Sequence, residues 1–174
     1  MTNYKAKVIM AGSYRVGKTS LIVRYCDNTF LEEYIQTIGA NFYIKEIDQK
    51  VFTNSNINLT LFLWDICRQI DKLFVTEYYF QGAAAAIIVF DLTNEQSFKD
   101  LDFWIKKIRD LSGDIPFIIV GNKIDLENER KISKDIGIKK SADYNVNYIE
   151  TSAKKDINVN TIFNDISKMI IARV

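Results

Sequence analysis

The 174 residues contain no histidine. That absence removes serine–histidine and cysteine–histidine catalysis, and with them every histidine-ligated metal site. Only two cysteines occur, Cys26 and Cys67; they form neither a disulfide framework nor a metal spacing and point to a reduced, cytoplasmic setting. A single proline excludes proline-rich linkers. A net charge of +1 leaves no broad basic footprint for nucleic acid. No apolar run approaches the roughly 18 residues of a membrane span. The longest, "AAAAIIVF", has the length of a buried strand. The opening "MTNYKAKVIMAG" lacks a signal-peptide core. The closing "MIIARV" carries no cysteine for a lipid, so membrane attachment is expected only through partners or through a tail outside this sequence.

What is present is an ordinary globular balance, 48% apolar and 26% charged. This length fits one domain over residues 1–174, burying roughly two thirds of its unfolded surface. Apolar runs rich in β-branched residues alternate with segments of helical period, which predicts an α/β fold. Six strands are expected at "AKVIMAG", "ANFYIKEID", "NLTLFLWD", "AAAAIIVFD", "PFIIVGN" and "NYIET". The first, fourth and fifth are apolar nearly throughout, as central parallel strands should be. "NFYIKEID" alternates like an exposed edge strand, and "QKVFTNSNIN" after it is turn-forming, so the second and third strands should make an antiparallel hairpin. Helices are expected at "KTSLIVRYCDN", "NEQSFKDLDFWIKKIRDL", "SKDIGIKKSADYN" and "VNTIFNDISKMIIARV". The second of these puts Phe98, Leu101, Trp104, Ile105 and Ile108 on one face.

"GSYRVGKTS", Gly12 to Ser20, matches G-x-x-x-x-G-K-[ST] between a strand and a helix. In that setting Tyr14, Arg15, Val16, Gly17, Lys18, Thr19 and Ser20 form a cradle whose backbone N–H groups and helix N-terminus wrap phosphates. Lys18 reaches the β and γ oxygens, and the Thr19 hydroxyl ligates Mg²⁺. A nucleoside phosphate is the expected ligand.

"GNKID", ending at Asp125, and "ETSAK", Glu150 to Lys154, both follow strands, where ligands bind open α/β sheets. A carboxylate at Asp125 accepts from the N1–H and exocyclic amine of guanine, whereas adenine presents the opposite donor pattern. Asn122 would tie the loops together. The Lys123 stem would lie along the base, and the Ala153 N–H would reach O6, with Ser152 and Lys154 beside it.

At these motifs the chain resembles the Ras superfamily of small GTPases, and the Rab branch most closely. "YIQTIGANFYIKEI" is similar to the Rab effector loop and second strand; "LFLWD" and "DLTNEQSFKDLDFW" are similar to its third and fourth strands and the following helix. The resemblance implies a P-loop NTPase small G domain: a six-stranded, mostly parallel sheet with one antiparallel edge strand, flanked by about five helices. It implies GTP and GDP as ligands with Mg²⁺, and effector and regulatory proteins at the switch loops. Signal transduction and vesicle trafficking are the implied setting. It further implies that Phe30 stacks on guanine and that Tyr34 lies over the phosphates. Thr37 would bind Mg²⁺ and the γ-phosphate, Asp65 would hold Mg²⁺ through water, and Gln69 would orient the attacking water.

The chain departs from the family where small phosphate-loop residues are replaced by Tyr14 and Arg15. Tyr14 either obstructs an incoming arginine finger, itself worth about 10³–10⁵ in rate, or swings out over the nucleotide mouth against Tyr34. The family's Trp-Asp-Thr-Ala-Gly-Gln-Glu reads "WDICRQI" here. Arg68 keeps the N–H of the family's hinge glycine but loses free access to positive φ, a cost of roughly 1–2 kcal/mol if the closed state needs it. Arg15 and Arg68 are each read either as a solvated side chain or as an arginine finger in cis. Ile70 replaces an acid and adds apolar surface. The segment between Thr37 and Asp65 is roughly five residues longer than in the family, an extension expected at the hairpin tip.

Three readings follow. The first is a GTP-binding switch with slow hydrolysis that signals around Thr37 and Gln69. The second is a hydrolysis-deficient GTP-binding module of the same fold acting as a constitutive partner-binding protein. The third is a phosphoryl-transfer kinase, against which stand the guanine determinants and the lack of an arginine-rich lid. The retained pair Thr37 and Gln69 favours the first.

Overall fold

The computed structural model describes residues 2–30, 40–52, 56–66 and 76–174. Six strands run β1 Thr2–Ala11, β2 Ala40–Glu46, β3 Ile57–Ile66, β4 Ala85–Asp91, β5 Phe117–Asn122 and β6 Tyr148–Thr151. They form one sheet in the order β2-β3-β1-β4-β5-β6. Every pairing is parallel except β2 with β3. The six expected strands are therefore present, with the hairpin strand at the edge.

The helices are α1 Lys18–Asp27, α2 Thr76–Phe80, α3 Glu95–Lys99, α4 Leu101–Ser112, α5 Lys134–Ala142 and α6 Val159–Ile171. The helix expected over 94–111 begins at an Asn94 cap, whose side chain accepts from Gln96 N and Ser97 N. It is nicked at Asp100, whose ψ of −8° departs from helical geometry. α2 lies outside the expected helices, because "FVTEYYF" is rich in residues that favour strands.

All seven residues of β4 are buried. This follows from its central place and its two covered faces. Val8, Met10, Ile87 and Val89 meet Leu21 and Ile22 of α1 and Ile162, Phe163 and Ile166 of α6 on one face. Ile9, Ile88, Phe90 and Ile119 meet Phe80, Trp104, Ile105 and Ile108 on the other. Each such side chain contributes roughly 1.5–3 kcal/mol on burial. Phe163 also stacks on Tyr25, ring centroids 4.0 Å apart, which fastens α6 to α1.

β2 inverts the usual edge pattern. Its exposed residues include Phe42 and Ile44, while Tyr43 and Lys45 are half-buried. Apolar side chains thus face outward beside β3.

Candidate nucleotide site

The parallel sheet delivers β1, β3, β4, β5 and β6 to one edge by their carboxyl ends, and the motif loops leave from there. The phosphate loop turns back sharply between β1 and α1. Gly12 adopts φ 139°, and a Cβ on it would stand 2.1 Å from Val89 O. Gly17, capping α1 at φ 97°, leaves room for the Asn122 carboxamide, which a Cβ would meet at 2.3 Å. Only glycine satisfies both conformation and approach at these two points.

Lys18 is buried, its Nζ donating to Gly12 O and Ser13 O at 2.9 Å each. Its ammonium is held inside the loop curve. Thr19 Oγ1 donates to the Asp65 carboxylate, which is 1% exposed at the end of β3. Val16 is buried and Ser20 half-buried. Tyr14 is 38% exposed, with the Arg15 guanidinium 5.3 Å from its ring centroid. Arg15 takes a left-handed φ of 62°, rare for a residue with a Cβ. Ser13, which the sequence did not single out, donates through Oγ to Asp100 Oδ2 at 2.6 Å and ties the loop to the head of α4.

The other two loops are stitched to this one by Asn122. Its Nδ2 donates to Val16 O at 3.0 Å, while Oδ1 accepts from Thr151 Oγ1 at 3.0 Å and Ala153 N at 3.4 Å. Ser152 Oγ donates to Asp125 Oδ1 at 2.5 Å, and Arg24 reaches from α1 to Ala153 O and Lys154 O. Lys123, at φ 71°, sends its ammonium to Asp91 Oδ2 at 2.6 Å. Phe30 is half-buried against the α1–α6 core. Tyr34, Thr37, Cys67, Arg68, Gln69 and Ile70 lie outside the described residues.

Behind the base loops, Arg130 grips Glu150 in a fork, Nη1 to Oε1 at 2.9 Å and Nη2 to Oε2 at 3.0 Å. Tyr148 donates to the same carboxylate at 2.8 Å. Burial alone would raise the Glu150 pKa, but the bonds from Arg130 and then Tyr148 outweigh it and hold the carboxyl below its ordinary range. Burial and the bond to Glu150 together raise the Tyr148 phenol. No sequence spacing pairs these residues; only the β5–β6 register and the loop after Asp125 do.

A second feature missed in the sequence is an aromatic strip across β2, β3 and α2. Phe42 stacks on Phe62 at 5.6 Å and meets Trp64 edge-on at 5.3 Å; Trp64 meets Tyr79 at 5.9 Å. Phe42 and Tyr78 are 47% and 64% exposed, large values for rings on a soluble face.

No helix among the described residues is long and apolar enough to cross a membrane. The Ras family model matches residues 7–172. The chain is similar to Ras-related protein Rab-13 of Canis lupus familiaris, 33% identical over 96% of this chain and 80% of that one. It is similar also to Ras-related protein Rab-8A of Bos taurus, 35% identical over 99% and 81%. Ras-related protein Rab-8B of Homo sapiens is 34% identical over the same shares. A six-stranded sheet of this topology and near-full-length matches agree: the chain belongs to the Ras family, as a Rab-like small GTPase that binds guanine nucleotide.

Proposed function

We propose that residues 1–174 act as one switch domain in the cytoplasm, loading GTP or GDP with Mg²⁺, hydrolysing GTP slowly and engaging partner proteins in vesicle trafficking. The observation that carries this is the Asn122 side chain, which joins the phosphate loop at Val16 to the base loop at Thr151 and Ala153. Phosphate and base recognition are thereby held as one rigid unit.

Within it, Lys18 and the N–H groups of residues 14–20 hold the phosphates, the ammonium exchanging its bonds to Gly12 O and Ser13 O for phosphate oxygens. Asp125, steadied by Ser152, accepts from guanine; Lys123, drawn to Asp91, lays its stem along the ring; Phe30 stacks on the base; Lys154 borders it. Thr19 and Asp65 supply the hard oxygen donors that Mg²⁺ prefers, and their contact in a buried site fits such an ion, with Thr37 as a further donor. When bound, the ion neutralises phosphate charge. Gln69 would orient water, Tyr34 would lie over the phosphates, and Arg68 would offer its N–H to the γ-phosphate.

Slow turnover is supported by the rim of the phosphate loop, where the Arg15 guanidinium stands 5.3 Å from the exposed Tyr14 ring and the pair would crowd an activating arginine. The same observation favours a second reading, in which hydrolysis is lost and the chain is a constitutive partner-binding module. Partners dock at the switch loops and on the adjoining aromatic strip, whose exposed rings support a protein contact.

Single-turnover hydrolysis of preloaded GTP, in wild type, Gln69→Leu and Arg68→Gly, separates the readings. The switch reading expects turnover in wild type and its loss in Gln69→Leu. Intact GTP in all three proteins selects the binding module. Failure to load guanine nucleotide overturns both.

A further inference from the structure

Lys7 lies on β1, with its side chain on the face that carries Trp64 and α2. Its Nζ donates to Gln81 O at 2.8 Å and Tyr78 O at 3.3 Å, and stands 4.5 Å from the Trp64 ring centroid. Two hydrogen bonds and one cation–π contact thus converge on one ammonium. The two carbonyls belong to the end of α2, where helical C=O groups lack intrahelical partners and a cation is favoured. Over its described residues, Thr76–Phe80, α2 is too short to hold itself together as an isolated helix. Its tertiary anchors include Phe80, which is buried and whose carbonyl accepts from Ser112 Oγ at 2.9 Å, and this lysine, which holds the carbonyls of Tyr78 and Gln81. Tyr79, one residue before Phe80, meets the Trp64 ring edge-on at 5.9 Å. The same lysine therefore touches both the end of α2 and the ring that Tyr79 packs against. Burial lowers its pKa from the ordinary lysine value.

We infer that Lys7 is a positioning residue, a latch that fixes the end of α2 on Trp64 so that the nucleotide state of the preceding segment is read out at the aromatic strip. This rests on the switch reading, because the segment between Asp65 and α2 carries Gln69. A cation is required and its carbonyl geometry matters, so arginine should serve in part and methionine, of similar length, should not. Losing both hydrogen bonds to an ion shifts the docked-to-undocked ratio of α2 by about tenfold or more.

The chain has two tryptophans, and Trp104, on α4, is 2% exposed in the core that also holds Phe80, so the two rings give separate probes. Protein labelled with 5-fluorotryptophan and loaded with GDP or a non-hydrolysable GTP analogue gives two fluorine resonances, assigned with Trp64→Phe. The Trp64 resonance is expected to differ between nucleotides in wild type. That difference should collapse in Lys7→Met and be retained in Lys7→Arg. The nucleotide dissociation rate should be unchanged within about twofold, as expected of a residue that does not touch the ligand. A Lys7→Met protein with the wild-type difference overturns the latch, as does wild-type protein that loads both nucleotides with one Trp64 position. Failure to load either nucleotide overturns the switch reading first, and the latch with it; a missing Trp64 difference in loaded protein overturns the latch alone.

Discussion

The carboxamide of Asn122 occupies the space that any side chain on Gly17 would need, 2.3 Å from where its Cβ would stand. A residue of the base loop thereby dictates glycine in the phosphate loop. Gly17→Ala forces Asn122 away from Val16 O and Thr151 and places alanine at φ 97°. The combined strain and lost hydrogen bonds cost about 2–5 kcal/mol. For a chain of this size the melting temperature should fall by about 5–15 °C, and GDP affinity should fall with it. Circular dichroism melts with and without GDP measure both. An alanine variant that melts like wild type would show that the contact is not tight.

Asp125 sets the base by charge and geometry, its Oδ1 already accepting from Ser152. In Asp125→Asn one acceptor becomes a donor. Guanine presents two donors there, so one charge-assisted bond is lost and a donor opposes a donor, weakening GDP by about 10- to 150-fold. Xanthine carries a carbonyl oxygen in place of the 2-amino group and becomes the better ligand. Competition between GDP and xanthosine diphosphate reads this directly. Continued preference for GDP would remove Asp125 from base recognition.

Arg15 stands at φ 62°, where the loop's curvature rather than the residue sets the backbone. Arg15→Ala keeps a Cβ in that conformation and loses the guanidinium; Arg15→Gly loses both. Glycine should therefore be more stable than alanine here by about 1 kcal/mol, a reversal of their order at ordinary sites. Urea unfolding of the two variants measures the difference, and equal midpoints would mean that the loop relaxes around a side chain.

The strands were legible because burial on both faces demands continuous apolar runs, and Ala85 to Phe90 is such a run with every residue buried. The phosphate loop was legible because its mechanism requires fixed glycines and a fixed lysine. β2 was placed at the edge by its alternation, yet alternation does not say which face meets water, and Phe42 and Ile44 turned outward. α2 was hidden by β-favouring residues that tertiary anchoring overrides. Ser13 with Asp100, Lys123 with Asp91, and Arg130 with Glu150 are joined across long sequence separations by the crossovers of the sheet. Such pairs carry no local pattern, so only topology exposes them.

The Arg130–Glu150 fork makes a prediction about acid. The folded-state pKa of Glu150 lies below its ordinary value, about 4.3 for a free glutamate. A depressed carboxylate contributes stability that is present above the unfolded pKa and is lost as pH falls through the folded one. Glu150→Gln deletes that contribution. At pH near 7 the variant should be less stable by about 1–3 kcal/mol, because a buried charged hydrogen bond is gone. Arg130 still holds Glu127 Oε2 at 3.1 Å and Ile132 O at 3.2 Å, which keeps the loss below that of an abandoned buried cation. As pH falls below the ordinary glutamate value and on through the lowered folded one, wild type loses this contribution, so the gap should narrow progressively. Urea midpoints at neutral pH and near pH 3.5 test this. A gap that stays constant across that range would mean that the Glu150 charge contributes nothing to the fork, and that shape alone holds the two loops together.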